Sequence, residues 1–272
     1  MAISPLAKIS FSDGEFLDIA SRVERETGIT MKLSKKDMMY ARLVKRLKAL
    51  NLENFNDYLM LLSSRKGADE ISFLINSMTT NHTLFFREEH HFDHLIKTFC
   101  PVKRGLSIWS CACSSGQEPY SLALSLAANN TEMMARNIRI LATDLDSNVL
   151  AHGMKAQYTL DLKSQIDPVY FEKGLIRKND TCLEMSPIIK SMVRFDQLNV
   201  IKPWSLRDKF DIIFCRNMLI YFDHELQSKI ISQFCDVLQP GGYLYLGHSE
   251  SVRNKHLPLK MVGRTIYQKV AS

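Results

Sequence analysis

Leu106 to Leu126 reads LSIWSCACSSGQEPYSLALSL, and this stretch decides the fold. It opens on a short apolar run, Leu106 to Trp109, set off by Gly105. Small residues follow from Ser110 to Gly116, and the chain leaves as a helix carrying Leu122, Leu124 and Leu126. A strand, a tight turn of small residues and a helix are how an open α/β sheet makes a nucleotide-type pocket. The ligand rests beyond the carboxyl end of the strand, against backbone that small side chains leave accessible. Pro119 suits the first helical turn, where its missing N–H costs nothing. The turn lacks GxGxxG, so a dinucleotide phosphate cradle is not its natural reading. An ordinary strand-to-helix connection competes for the same residues.

Downstream, strands and helices alternate. Ile138 to Ala142 is a predicted strand that ends in Thr143-Asp144-Leu145-Asp146. An acid at the end of the second strand is where a ribose hydroxyl pair is held, and Asp146 is placed to cap the next helix. Residues 157 to 192 break the alternation. Leu175 to Lys178 and Cys182 to Met185 flank Asn179-Asp180-Thr181, which predicts a small inserted hairpin. Met192 to Phe195 returns as a strand, followed by Gln197-Leu198-Asn199-Val200. Phe210 to Phe214 is wholly apolar apart from Asp211, of the buried parallel type, and ends in Cys215-Arg216-Asn217. Asp223 caps a helix bearing Leu226, Ile230, Phe234 and Val237. Pro240-Gly241-Gly242 turns the chain into a strand, Tyr243 to Leu246, and Arg264 to Val270 reads as the last strand. The expected fold is α/β, a doubly wound, mostly parallel sheet with a small inserted antiparallel subdomain.

Upstream, residues 1 to 75 read as an all-helical domain. Ser12 and Glu15 make a capping box, with Phe11 and Phe16 as its hydrophobic staple. Phe16, Ile19 and Val23 repeat at helical spacing up to Gly28. A second helix is expected after Ser34 as N-cap, with Tyr40, Leu43, Leu47 and Leu50 on its apolar side. Lys32 to Lys48 holds seven basic residues and one acid, a local excess equal to the net charge of +6 of the whole chain. That face is either merely solvated or a docking surface for something acidic. Asn54 and Gly67 begin two further helices. Residues 76 to 99 are expected to form a packed linker, since TTNHTLFFREEHHF (79–92) crowds two adjacent phenylalanines, an arginine and three histidines without Pro or Gly. His90 and His94 have the i, i+4 spacing that serves a metal on a helix, but no third ligand is fixed by spacing. Residues 100 to 272 form the sheet domain, with the insert at about 157 to 192.

The 272 residues, 46% hydrophobic and 24% charged, suit a chain with a sizeable core. No run of about 18 apolar residues predicts a membrane span. No basic segment followed by an apolar one opens the chain, and the reading is cytoplasmic. Six cysteines without a CxxC pair read as reduced thiols, and no metal is expected. The strand-end edge gathers small residues, Asp144, Asn199 and Arg216-Asn217. A carboxylate for a ribose and amides for an adenine, with no Walker lysine, favour S-adenosylmethionine over ATP or NAD.

Six motifs occur in one order: TTNHTLFFRE (79–88), WSCACSSGQEPYSLAL (109–124), ATDLD (142–146), LN (198–199), FDIIFCRNMLIYF (210–222) and PGGYLYLGHSE (240–250). On these the chain resembles the CheR-type chemotaxis receptor methyltransferases over nearly its whole length. The resemblance implies the class I S-adenosylmethionine methyltransferase fold. It also implies methyl transfer from S-adenosylmethionine, leaving S-adenosylhomocysteine, to glutamate side chains of membrane chemoreceptors, giving γ-glutamyl methyl esters. By motif it implies that Asn81, Thr83, Arg87 and Ala112 contact the cofactor, that Glu118 meets its methionine ammonium and that Asp144 meets its ribose. Asn199, Val200, Arg216 and Asn217 become adenine-side and methionine-side contacts, and Arg87 and Tyr221 the catalytic residues. Lys35, Lys36, Arg42, Lys45, Arg46 and Lys48 become the face that docks the acidic methylation helices of a receptor's cytoplasmic domain. The implied protein is a cytoplasmic monomer recruited to chemoreceptor arrays, without membrane insertion and without nucleic acid. Cys111 and Gln117 depart from the commonest family form, and the insert has one glycine, Gly174, which leaves receptor-tether binding open. Two rival readings are a nucleic-acid methyltransferase and a non-catalytic S-adenosylmethionine-binding signalling module. The first lacks the expected Asn/Asp-Pro-Pro-aromatic and Pro-Cys motifs.

Overall fold

The computed structural model describes residues 9–101, 104–129, 137–164, 166–206 and 208–270. The chain falls into two compact units, Met1–Thr80 and Asn81–Ser272.

The first unit is helical: α1 (Asp13–Thr27), α2 (Lys36–Ala49), α3 (Phe55–Ser63) and α4 (Ala68–Met78). Phe16, Ile19, Val23, Leu43, Leu47, Phe55 and Leu74 are fully buried in its core. The Ser12–Glu15 capping box is present, and Gly28 closes α1 at φ 74°. Phe11 meets Phe16 edge-on with ring centres 6.3 Å apart and stacks on Phe55 at 4.1 Å. Ser34 does not cap α2. It lies inside a 3-10 turn, Leu33–Lys35, in which Lys35 N donates to Lys32 O, so the α-helix starts two residues beyond it.

The second unit runs α5 (His90–Phe99), β1 (Leu106–Cys111), α6 (Gln117–Asn129), β2 (Ile138–Asp144), α7 (Ser147–Lys155), β3 (Gln157–Thr159), α8 (Pro168–Gly174), β4 (Leu175–Arg177), β5 (Cys182–Met185), α9 (Pro187–Ser191), β6 (Val193–Gln197), β7 (Phe210–Cys215), α10 (His224–Val237), β8 (Leu238–Leu246), β9 (Leu259–Gly263) and β10 (Ile266–Lys269). Seven strands form one sheet in the order β6-β2-β1-β7-β8-β10-β9, and β3-β5-β4 form a small antiparallel sheet. Only the pairs of β10 with β8 and β9 are antiparallel in the large sheet. The chain winds from β1 outward to β2 and β6, then returns to β7 on the other side of β1. That reversal is the switch point at which an open α/β sheet leaves a crevice. Register aligns the strand ends there: Cys111 faces Thr143 and Cys215, Cys215 faces Leu246, and Asp144 faces Gln197. The doubly wound sheet, its small antiparallel insert and the helical first unit are as the sequence leads one to expect.

Three details differ. The hairpin of β4 and β5 gains a third strand, β3, too short to show alternation. Pro240-Gly241-Gly242 lies within β8, where register shifts between Phe210 and Ile212 and Gly241 takes φ 77°. The last strand, β10, is preceded by an unexpected one, β9, and the two are joined by a turn with Thr265 at φ 53°.

Candidate cofactor site at the strand ends

The turn after β1 is built from unusual backbone. Ala112, Ser114 and Gly116 take φ 59°, 50° and 94°, a region that costs most residues energy and is held only where neighbours determine it. Here they do. Cys113 N donates to Thr143 O at 3.0 Å, and Ser114 N donates to Asp144 Oδ2 at 2.8 Å. At Gly116 an added Cβ would lie 2.9 Å from the Tyr158 hydroxyl, which itself donates to Ser115 O at 2.9 Å. The inserted sheet thereby props the turn.

Asp144 ends β2, and its other oxygen, Oδ1, accepts from Asp146 N at 2.9 Å. Burial pushes its proton affinity above the usual carboxylate range, and the amides of Asp146 and Ser114 offset this only in part. Asp146 caps α7 through Asn148 N and also accepts from Asn81 Nδ2 at 2.7 Å, while Ser114 Oγ donates to Asn81 O at 3.0 Å. Asn81, Ser114, Asp144 and Asp146 therefore form one hydrogen-bonded wall. Sequence reading noticed Asp146 only as a cap.

A second cluster surrounds Arg216, which is 6% exposed. Its Nε donates to Glu118 Oε2 at 2.7 Å, and its Nη1 donates to the Arg87 carbonyl and to His91 Nδ1. The guanidinium also sits 5.6 Å from the centre of the Phe92 ring and 5.7 Å from that of Phe214. Glu118 Oε1 accepts from Ser110 Oγ at 2.7 Å. Both oxygens of Glu118 are thus already engaged within the protein, which the motif alone did not foretell. Glu88 Oε2 is buried without a hydrogen bond, 3.8 Å from Arg216 Nη1 and 3.5 Å from His91 Nδ1. Burial raises the proton affinity of Glu88, but the His248 hydrogen bond and the Arg216 charge outweigh it and hold the carboxyl below its ordinary value.

His91 is fully buried and stays neutral: burial, then the Arg216 charge, lowers its pKa to about 3. Because its folded pKa is depressed, stability falls as pH drops below the unfolded value of about 6.5, where only the unfolded chain takes up the proton. His91→Gln keeps an acceptor for Arg216. Chemical denaturation at pH 6.5 and pH 4.5 should show the wild type losing about 2 kcal/mol more than this variant. Equal losses would mean that His91 does not titrate as buried. His90 and His94 do not act as a pair; His90 Nε2 contacts Arg264 O, and His94 Nδ1 contacts the Tyr245 hydroxyl at 2.7 Å.

The other expected residues are spread along the same edge. Asn199 and Val200 follow β6, and Val200 O accepts from Trp204 Nε1 at 3.0 Å. Asn217 follows β7 at φ 58°. Tyr221 ends the turn Leu219–Tyr221, half-buried. Thr83 lines a groove of 560 Å³ with Gln117, His152 and Tyr158. Arg87 is half-buried, and its side chain makes one long bond, Nη1 to His82 O at 3.3 Å. Sequence reading missed Glu250, which is 5% exposed and joins two strand-end loops. It accepts from Asn217 N, Gly247 N and Ile220 N. Its place in the GHSE motif was the available signal.

In the first unit the six basic candidates divide. Arg46 binds the buried Glu70 through Nε and Nη2, beside the Tyr58 hydroxyl, and lies 4.1 Å from the centre of the Phe73 ring. Arg42 Nη1 donates to Ser77 O and Thr79 O at the end of α4, and Lys36 pairs with Asp13. Lys35, Lys45 and Lys48 are exposed. The family resemblance put both arginines on the docking face, but long side chains reach round a helix to buried partners.

A switch-point crevice with an acid at the end of β2 and a small-residue turn after β1 defines an S-adenosylmethionine-dependent methyltransferase fold. Residues 81–268 match the profile described as CheR methyltransferase, SAM binding domain, and residues 14–79 match CheR methyltransferase, all-alpha domain. A chemotaxis protein methyltransferase of Klebsiella aerogenes is 34% identical over 264 residues, covering 96% of this chain and 91% of the relative. That of Escherichia coli is 34% identical over 264 residues, covering 96% and 92%. A probable chemotaxis protein methyltransferase of Rhizobium etli is 35% identical over 256 residues, covering 89% and 95%. The chain belongs to the CheR methyltransferase family.

The donor set fits S-adenosylmethionine. Asp144 is a buried carboxylate whose described partners are backbone amides, so it keeps acceptor capacity. Glu88, Glu118, Asp144 and Asp146 stand against Arg87 and Arg216, an acidic balance that suits a sulfonium ligand carrying an ammonium. Among the described residues no group of three or more potential metal ligands occurs, and no helix is long and apolar enough to cross a membrane.

Proposed function

We propose that the chain methylates glutamate side chains of chemoreceptors, forming γ-glutamyl methyl esters in sensory adaptation. In this reading it works as a cytoplasmic monomer recruited to receptor arrays. One observation carries the choice of acceptor: Arg216 is held within the protein through Nε and Nη1, whereas among the described residues Arg87, beside it, has only the long side-chain bond to His82 O. A half-buried arginine with free donors at a methyl-transfer crevice suits an anionic acceptor. The names of the relatives supply the chemotaxis setting.

Asp144 holds the ribose hydroxyls. Asn81, Thr83 and Ala112 frame the pocket beside it. Asn199 and Val200 meet the adenine. Glu118, Arg216 and Asn217 stand at the methionine end, where Glu118 serves the ammonium through acceptor capacity that Ser110 and Arg216 leave. When bound, S-adenosylmethionine supplies an electrophilic methyl group on its sulfonium. A glutamate acceptor is ionised at neutral pH, so no general base is needed. Arg87 orients that carboxylate, and Tyr221 lines the channel and keeps water out. Positioning and exclusion of water then supply most of the rate.

Lys35, Lys45 and Lys48 form the docking face for acidic receptor helices. Lys45→Glu with Lys48→Glu should lower kcat/KM for receptor fragments about tenfold in low salt and much less in high salt, because exposed charges act on encounter. An unchanged rate in low salt would remove the docking role. Arg42 and Arg46 variants read out stability instead. The direct test of the function is mass spectrometry of receptor cytoplasmic fragments after incubation with cofactor. Expected are methyl increments on glutamates that mild base removes. Increments that resist base, or none, would overturn the ester reading.

A further inference from the structure

The GHSE loop, Gly247 to Glu250, lies between the two segments that carry Arg87 and Tyr221. On one side Glu250 Oε2 accepts from Gly247 N at 2.6 Å and from Asn217 N at 2.9 Å, and its Oε1 accepts from Ile220 N at 3.3 Å. Asn217 and Ile220 bracket the start of the turn that ends at Tyr221. The approach is so close that a Cβ at Gly247 would lie 2.6 Å from Asn217 Nδ2 and 2.8 Å from Glu250 Oε2, which only glycine avoids. On the other side His248 donates twice to Glu88 Oε1, from its backbone N at 3.3 Å and from Nδ1 at 3.0 Å. Glu88 adjoins Arg87 and takes φ 61°, a conformation that needs outside support.

We infer that this loop sets the separation of Arg87 and Tyr221, with His248 and Glu250 as positioning residues for methyl transfer. The inference rests on the proposed reading of Arg87 and Tyr221 as the acceptor site. His248 is 51% exposed, so its loss leaves the core intact. What its loss removes is the hydrogen-bonded hold on Glu88 Oε1, leaving the Arg87 segment tied only on its other side, where Arg216 Nη1 meets the Arg87 carbonyl and approaches Glu88 Oε2. Placement errors of about 1 Å at a reacting centre cost up to about a hundredfold in rate. The described hydrogen bonds of the cofactor wall run among Asn81, Ser114, Asp144 and Asp146 and not to His248, so cofactor affinity should not follow.

The test uses the full chain as wild type, His248→Ala, His248→Asn and Glu250→Gln. Asparagine places an amide N–H about where imidazole Nδ1–H lies, and glutamine turns one acceptor into a donor facing backbone amides. The readings are kcat and KM on receptor fragments, the dissociation constant of S-adenosylhomocysteine and the unfolding midpoint. His248→Ala should lower kcat about tenfold while binding and midpoint stay within about twofold of the wild type, and His248→Asn should recover most of the loss. Glu250→Gln should lower kcat by about a hundredfold, well beyond any fall in affinity. Wild-type kcat in His248→Ala would overturn the inference alone. So would losses in which affinity and stability fall in step with kcat, or an asparagine variant no better than alanine. A wild type that methylates no receptor glutamate would overturn the acceptor reading, and the inference with it.

Discussion

Asp144→Ala should abolish measurable binding of S-adenosylmethionine and S-adenosylhomocysteine in calorimetric titration. The carboxylate is 8% exposed and is aimed by two backbone amides, from Ser114 and Asp146. Hydrogen bonds to a charged group contribute about 1.5–3 kcal/mol each, so a ribose hydroxyl pair would lose a hundredfold or more in affinity, on the order of 3 kcal/mol. Alanine also frees Ser114 N, and with it the left-handed turn. Asp144→Asn, which keeps the shape, should therefore bind better than alanine and worse than wild type. A dissociation constant within about threefold of the wild type in both variants would remove Asp144 from the site. The pH dependence has a definite sign. Burial raises the proton affinity of Asp144 in the free protein, and only the ionised form presents two acceptors. Binding should weaken as pH falls, beginning above the ordinary carboxylate value of about 4. For folding the same shift works in the opposite sense to His91. A carboxyl with a raised folded pKa costs stability when ionised, and the cost is relieved as pH falls through that folded value.

Arg216→Met should be the most damaging single change to stability in the second unit. It leaves Glu118 buried and uncompensated beside Ser110, and it strips the Arg87 carbonyl and His91 Nδ1 of their donor. Removing one partner of a buried pair costs about 3–5 kcal/mol, because the remaining charge stays desolvated. Replacing both partners is milder, so Glu118→Gln with Arg216→Met should recover more than half of that loss in denaturant titration. The double variant should still fail in methyl transfer, since Arg87 has lost its anchor. A single variant within about 1 kcal/mol of the wild type would show that the cluster relaxes easily and that Glu118 is free to meet a ligand.

The strand-end architecture was legible because it rests on local chemistry. The apolar run before Ser110, the small residues to Gly116 and the acid at Asp144 each declare a backbone role from sequence alone. The caps at Ser12, Asn54, Asp146 and Asp223 were legible for the same reason, since each side chain reaches an amide two or three residues on. What stayed hidden depends on distant partners. The Arg46–Glu70 and Arg216–Glu118 pairs span 24 and 98 positions, and the Glu250 clamp on Asn217 spans 33. No periodicity encodes such pairs. Ser34 failed as a cap because the 3-10 turn already pairs Lys36 N with Leu33 O. β3 and β9 were missed because short edge strands carry too little alternation to stand out. Of the site, the motifs located the residues. Which charges are already spent inside the protein needed the folded chain.

The winding of the large sheet also bears on how the chain reaches its folded state. β1 is the hub of the sheet, yet only one of its edges is covered early. Ile108 pairs with Ile140 in β2, about thirty residues on, and with Ile212 in β7, about a hundred residues on. During synthesis at about 5–20 residues per second, the open edge of β1 waits several seconds for its second partner to emerge. Meanwhile β4 and β5, joined by four residues, close as a local hairpin within microseconds. The inserted sheet therefore has time to form and to bring Tyr158 against Ser115 while the crevice beside it is still half built. The part of the chain that interrupts the sheet in sequence, and that supports its central turn, is thus synthesised in full before β7, the second partner of β1.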